Sequence, residues 1–313
     1  MSDKGSSSHR TVIIAAATNF AVAVVKAVLA LFTGSASLWA EAAHSTADTG
    51  NQLLLFVGLR KSSKGKDRHH PFGHGQERYF WSFLAAIGIF VVGGLLSIGE
   101  GLRSLLSPEP VRSVWLGIAV LVVAALFEGY SWLTARRQLT GEARRRQRSL
   151  VQHLTRASDP SPTAVYLEDS AALIGIGLAL TALILDALTG WRAWDGIAGV
   201  CIGVLLIVVA VLLARRNKSL LLEESVPDDV LHDLRAELHM DGAQTERLSA
   251  IYIGPGQILI CAHLRLGPDL LNGPASELVD AVNTLRRHML DLPLVVETEI
   301  TVLAPTSADV RAR

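Results

Sequence analysis

The sequence predicts an α-helical integral membrane protein, with six transmembrane helices followed by a C-terminal cytoplasmic α+β domain. Three observations carry that prediction. Half of the 313 residues are hydrophobic and 19% are charged, against about one quarter charged in soluble domains, and mean hydropathy is +0.36. The apolar residues fill long runs before about residue 215 and thin afterwards. Lysine and arginine collect in alternate connections between those runs, as they do in cytoplasmic loops. Formal charge is zero, with 29 basic and 29 acidic residues, so no basic excess points to a nucleic-acid partner. Cys201 and Cys261 fall in different regions of the chain, which excludes a disulfide scaffold.

Crossing a bilayer core of about 30 Å takes roughly 20 apolar residues. Six segments qualify: about 11–32, 36–60, 79–105, 112–135, 162–188 and 194–214. The first carries a single charge, Lys26, and runs directly into the second, so it reads as a mature helix and not a signal peptide. Residues 1–10 make no recognisable targeting signal and read as a cytoplasmic tail.

Orientation follows from the loops. Arg60, Lys61, Lys64, Lys66 and Arg68 follow span two; Arg136, Arg137, Arg144, Arg145, Arg146, Arg148 and Arg156 follow span four; Arg215, Arg216 and Lys218 follow span six. With Lys4 and Arg10 the count is 17, against 3 (Arg103, Arg112 and Arg192) on the other side. Both termini are therefore expected in the cytoplasm, and the default host is the cell (plasma or inner) membrane. All six tryptophans lie near span ends, as an interfacial belt requires.

Residues 11–215 are thus expected to form a transmembrane domain and 216–313 a cytoplasmic domain. Pro227 and two aspartates open a helix. The runs "RLSAIYIG" and "ILICAHLRLG" read as strands joined at Gly254–Pro255–Gly256–Gln257. "PASELVDAVNTLRRHML" has helical period and "LVVETEITVL" reads as a strand, giving the order α-β-β-α-β. "TGEARRRQRSLVQHLTRASDPSP" reads as a basic, partly flexible loop.

Ionisable groups inside a span cost about 2.5–3.5 kcal/mol each on insertion scales, so each is a functional candidate. Glu41, His44 and Asp48 in span two, followed by Asn51 and Gln52, share one helix face. An imidazole and a carboxylate four residues apart suit zinc and its first-row neighbours better than magnesium or calcium. A polar helix–helix contact is the competing reading. Glu168 and Asp169 open span five, and Glu128 in span four lies at a similar depth to Asp169. These carboxylates outnumber Lys26, and a dication or protons would neutralise the excess. For Glu128, a protonated carboxyl bonded to a neighbouring helix competes with a part in proton movement. After span two, Asp67, His70 and His74 offer a carboxylate and two imidazoles around a Pro-Phe-Gly turn.

Together "TGSASLWAEAAHSTADTGNQLLL", "HHPFGHGQER", "YLEDSAALIGIG", "DGIAGVCIGVLLI" and "LLLEESVP" resemble the cation diffusion facilitator family of divalent-metal transporters. The resemblance implies six helices and a ferredoxin-like cytoplasmic domain, usually in a homodimer. It implies transport of zinc, manganese, iron or cobalt, commonly by exchange for protons. It places an intramembrane metal site on His44, Asp48 and Asp169, and a loop site on Asp67, His70 and His74. Most zinc-carrying members have a histidine where this chain has Val165, and the chain looks like the branch whose fifth helix reads Leu-Glu-Asp. Glu168, Glu128, Asn51 or a water would then complete the coordination, with Glu168 the first choice among protein ligands. Glu128, Glu41 and Asn51 are candidates for proton relay or for support of the ligands. His263, with Glu297 and Glu299 nearby, is a candidate metal ligand of the cytoplasmic domain, against a structural reading; His232, His239 and His288 read as ordinary surface or helix residues.

The resulting expectation is a proton antiporter exporting a divalent transition metal, zinc first, from the cytoplasm. Its partners are the cation, protons, membrane lipid and a second copy of the chain, with no cofactor and no nucleic acid. The same transporter for manganese, iron or cobalt is the alternative, and a membrane metal sensor that transports nothing is the second. No His-Glu-x-x-His or comparable hydrolase motif supports an enzyme.

Overall fold

The computed structural model describes residues 19–108, 113–145 and 147–304. The tail 1–10, the first turns of span one, Arg112 and Arg146 lie outside them. The chain forms two compact units: one is the chain up to Lys61 with Glu77–Lys218, and the other is Ser62–Gln76 with the chain from Ser219 onward.

The first unit is helical: α1 (Asn19–Thr33), α2 (Ala36–Ser62), α3 (Glu77–Leu106), α4 (Val114–Arg145), α5 (Leu150–Arg156), α6 (Pro160–Thr189) and α7 (Ala193–Leu221). Helices α3, α4, α6 and α7 are long and apolar enough to cross a membrane. Helix α1 is shorter over its described residues, and the polar side chains of α2 lower its hydropathy. The α1–α2 turn takes two residues because Gly34, at φ +69°, enters the left-handed region, and its N–H bonds Ala30 O at 2.9 Å.

Alanine supplies half of the core cluster, from Ala30, Ala40 and Ala47 to Ala171, Ala179 and Ala210. Small side chains let helix backbones approach, which is what drives association where lipid is as apolar as leucine. Helix α3 meets α7 closely at Gly101, where a Cβ would stand 2.5 Å from Val200 N and 2.8 Å from Gly196 O. Helix α3 is π-helical over Ile89–Leu95, next to that contact. Large apolar side chains such as Phe32, Leu106, Trp115, Leu126 and Leu188 stay exposed, as a lipid-facing surface requires.

Two boundaries differ from the sequence reading. Helix α4 continues ten residues past its expected end near 135, and the expected basic loop holds α5, closed by a reciprocal Ser149–Gln152 cap.

The second unit holds α8 (Asp228–Glu237), β1 (Ala243–Gly254), β2 (Gln257–Leu266), α9 (Pro268–Asn272), α10 (Ala275–Asp291) and β3 (Val295–Leu303). The sheet order is β1-β2-β3, antiparallel from Ala243↔Leu266 to Gly254↔Gln257, then parallel from Ile258↔Val295 to Arg265↔Leu303. Alternation along β2 buries Ile258, Ile260, Ala262, Leu264 and Leu266, and Leu285 and Met289 of α10 are buried with them. The expected α-β-β-α-β order is present, with α9 inserted. The segment Ser62–Gln76 belongs to this unit: a Cβ on Gly75 would meet Ile253 O at 2.5 Å and Gly254 Cα at 2.7 Å. Lys66 donates to Glu297 at 2.7 Å.

Candidate metal sites

Helix α2 turns His44 and Asp48 to one side, and His44 Nε2 stands 3.0 Å from Asp48 Oδ2. His44 is buried, yet Nε2 has no aligned hydrogen-bond partner. Close approach without alignment fits two donors aimed at one point. Two ligands on a tetrahedral ion with bonds of about 2.1 Å would be roughly 3.4 Å apart. On α6, Glu168 is buried and takes the Asn51 side-chain N–H on one oxygen, while its Oε1 has no partner. Asp169 Oδ2 and Gln52 Oε1 are likewise buried without partners. Glu168 lies within electrostatic reach of Asp48, Asp169 and Glu128. The donors of α2 and α6 are not drawn into a set of three within 4.8 Å.

Glu41 is engaged elsewhere. Lys26 Nζ donates to Glu41 Oε2 at 3.0 Å and to Ser45 Oγ at 2.9 Å, with Lys26 and Glu41 fully buried. Lys26 therefore answers one acidic residue of α2 and leaves the His44–Asp48 pair without a basic partner from the described chain. Sequence reasoning also passed over Asp195 at the head of α7. Its buried carboxylate accepts from Ser35 Oγ (2.6 Å), Ser37 N (3.2 Å) and Ala36 N, capping α2 from another helix. A carboxylate in the first turn of a span was the signal that could have found it.

The loop residues converge. His74 Nε2 lies 2.9 Å from Asp67 Oδ2, His70 Nδ1 lies 3.3 Å from Asp67 Oδ1, and the imidazole centroids are 3.9 Å apart. One donor atom from each falls within 4.8 Å of the others, and this is the one such group among the described residues. The hydrogen bond from His74, then the backbone N–H groups of His70 and His69, hold the Asp67 carboxyl well below the usual carboxylate range. An ionised carboxylate with two imidazoles is a donor set that zinc accepts with one position open.

His263 on β2 stands in register with Arg247 on β1 and Thr301 on β3 and joins no such group among the described residues. Glu297 is taken by Lys66, with Arg286 at 3.5 Å, and these cations hold its carboxyl below its ordinary value. His239 and His288 make exposed pairs with Asp241 and Glu237.

Imidazole and carboxylate side chains are thus buried in apolar helices, and further ligand-type side chains converge in a connecting segment. Residues 12–222 match the family described as the cation efflux transmembrane domain. The chain belongs to that family, the cation diffusion facilitators. It is similar to the human protein named proton-coupled zinc antiporter SLC30A9, mitochondrial, at 35% identity over 211 residues, 67% of this chain and 37% of that one. It is also similar to metal tolerance protein C4 of Arabidopsis thaliana, at 32% over 261 residues, 82% of this chain and 57% of the relative. With the cation-efflux pump FieF of Klebsiella pneumoniae the identity is 26% over 228 residues, covering 72% and 69%. The chain therefore spans 37% of the human protein and 57% of the plant one.

Proposed function

We propose that this protein is a secondary active transporter that exports a divalent transition metal, zinc first, from the cytoplasm in exchange for protons. The observation that carries the reading is the set of buried ligand atoms on α2 and α6: Gln52 Oε1, Glu168 Oε1 and Asp169 Oδ2 without partners, and His44 Nε2 facing only the Asp48 carboxylate at 3.0 Å. Buried polar atoms without partners are costly, and a cation or protons would satisfy them. The names of the human and Xenopus relatives, both proton-coupled zinc antiporters, support the same ion and the same coupling.

In this mechanism His44 and Asp48 from α2 and Asp169 from α6 take the metal, and the ion displaces protons from them. Glu168 fills the place left by Val165, since one oxygen is steadied by Asn51 and the other is unpartnered. Because the donors on the two helices are not gathered in one set, relative movement of α2 and α6 can close them on the ion or part them, which is what alternating access needs. Asp67, His70 and His74 hold a second metal outside the spans. Val165 favours manganese, iron or cobalt as the competing cargo, because it removes a nitrogen donor. We read the host as a plasma or inner membrane with both termini cytoplasmic and the C-terminal unit holding a homodimer; the word mitochondrial in the relatives' names makes an organelle membrane the alternative that fluorescence localisation separates.

The test is flux in proteoliposomes under an imposed pH gradient, comparing zinc, manganese, iron and cobalt. Zinc flux coupled to protons is expected, and Asp48→Asn or Asp169→Asn should abolish it. Flux that persists in both variants removes the assigned site. Tight metal binding with no flux of any ion makes the protein a sensor.

A further inference from the structure

At the arginine-rich end of the helical unit, a cavity of about 300 Å³ opens among α4, α5 and the start of α6. Arg145, Arg148 and Arg156 line it with His153, Glu142 and Asp159. Both carboxylates are already engaged. Glu142 accepts from Gln138 at 3.1 Å and lies 3.3 Å from His153 Nε2. Asp159 accepts from Arg78 at 2.8 Å and from the Ser161 N–H at 3.0 Å. Among the described residues, Arg145 and Arg156 have no acidic partner. His153 is 4% exposed, and its Nδ1 is buried without a hydrogen-bond partner.

The surroundings are built for a fixed shape. Ser149 and Gln152 cap α5 reciprocally, Arg216 donates to Ala157 O at 2.7 Å, and Tyr79 donates to Ser158 O at 3.0 Å. Depth is set by Trp132 and Tyr166, which stack with centroids 5.9 Å apart; such side chains mark the membrane–water interface. Pro162 in the cavity wall precedes Tyr166 by about one turn, roughly 6 Å nearer the helix start.

We infer that this cavity binds a phosphate group, carried by an anionic phospholipid headgroup or by a free phosphate. Guanidinium groups match phosphate oxygens in fork geometry, and basic pockets between helices at a membrane face take anionic headgroups.

The test is native mass spectrometry of the full-length protein in neutral detergent, with phosphatidylglycerol, phosphatidylcholine or inorganic phosphate added. Wild type is expected to retain phosphatidylglycerol at least about 10-fold over phosphatidylcholine, the ratio that about 1.4 kcal/mol produces. The preference should vanish in Arg145→Gln/Arg156→Gln and persist in Arg137→Gln/Arg144→Gln, which removes equal charge outside the cavity. Phosphate retention without a lipid preference, lost in the same cavity variant, assigns the site to the free anion. No retention of either, or equal losses in the two charge-matched variants, overturns the site. Melting curves separate loss of binding from loss of fold, and Arg156→Gln alone serves if the double variant unfolds.

Discussion

Lys26 shows what a single residue costs and contributes inside this bundle. Its ammonium is held by Glu41 and Ser45 with no exposure to solvent. Taking two charges out of water costs several kcal/mol per ion, offset only while both partners remain. Lys26→Met is therefore expected to destabilise the protein by about 3–5 kcal/mol, since it strands the Glu41 carboxylate, and the loss should register as a lower melting temperature in detergent. Lys26→Met/Glu41→Leu should recover most of that loss. A double variant as unstable as the single one would mean that the pair supports more than itself. That charged and ligand-type residues fall at 41, 44, 48, 168 and 169 was legible from the sequence, because ionisable groups in hydrocarbon are too costly to be incidental. That Glu41 belongs to Lys26 while His44 belongs with Asp48 was not, because all three α2 residues share one helix face and only the position of α1 separates them.

Among the elements, α3 and α7 depend on glycine where their backbones meet. At Gly101 a Cβ would strike Val200 N and Gly196 O, backbone atoms that cannot rotate away. Gly101→Val is expected to cost at least about 2 kcal/mol, within the usual range for overpacking. Gly99, two residues earlier, has nothing within 4 Å of its Cβ position, so Gly99→Ala should be neutral or slightly stabilising through helix propensity. Equal melting temperatures for the two variants would remove close packing as the reason for the glycine. The positions of spans three to six were readable because a bilayer demands a minimum apolar length. The end of α4 was misread for a related reason. Hydropathy stops at the membrane boundary, whereas Arg136, Arg137, Gln138, Leu139, Glu142 and Ala143 are good helix formers and carry the helix on to Arg145.

Across the whole molecule, the segment Ser62–Gln76 lies between two helices of the first unit in sequence but packs with the second. Lys66 and Glu297 tie it there at 2.7 Å. The tie holds the Glu297 carboxyl below its ordinary value, so its contribution is full above the unfolded carboxylate pKa of about 4.3 and is lost as pH falls through the lower folded value. Lys66 is half exposed, so screening limits the contribution to no more than about 1 kcal/mol. Hydrogen exchange in the segment is expected to rise as pH drops through that range, once corrected for intrinsic rates. Lys66→Met should raise exchange at neutral pH and flatten the pH dependence; an unchanged profile would exclude the tie. Apolar run length, the lysine and arginine asymmetry and the types of buried charge are local properties, and they were enough to set the helical class, the element order and the candidate ligands. Contacts between residues far apart in the chain are not local. Asp195 caps a helix that starts 159 residues earlier, Lys66 reaches a strand 231 residues on, and the arginine cavity needs three elements at once. Those arrangements had to wait for the folded chain, because a charge's cost can be read from its own position, whereas its partner is decided by which helices and strands pack side by side.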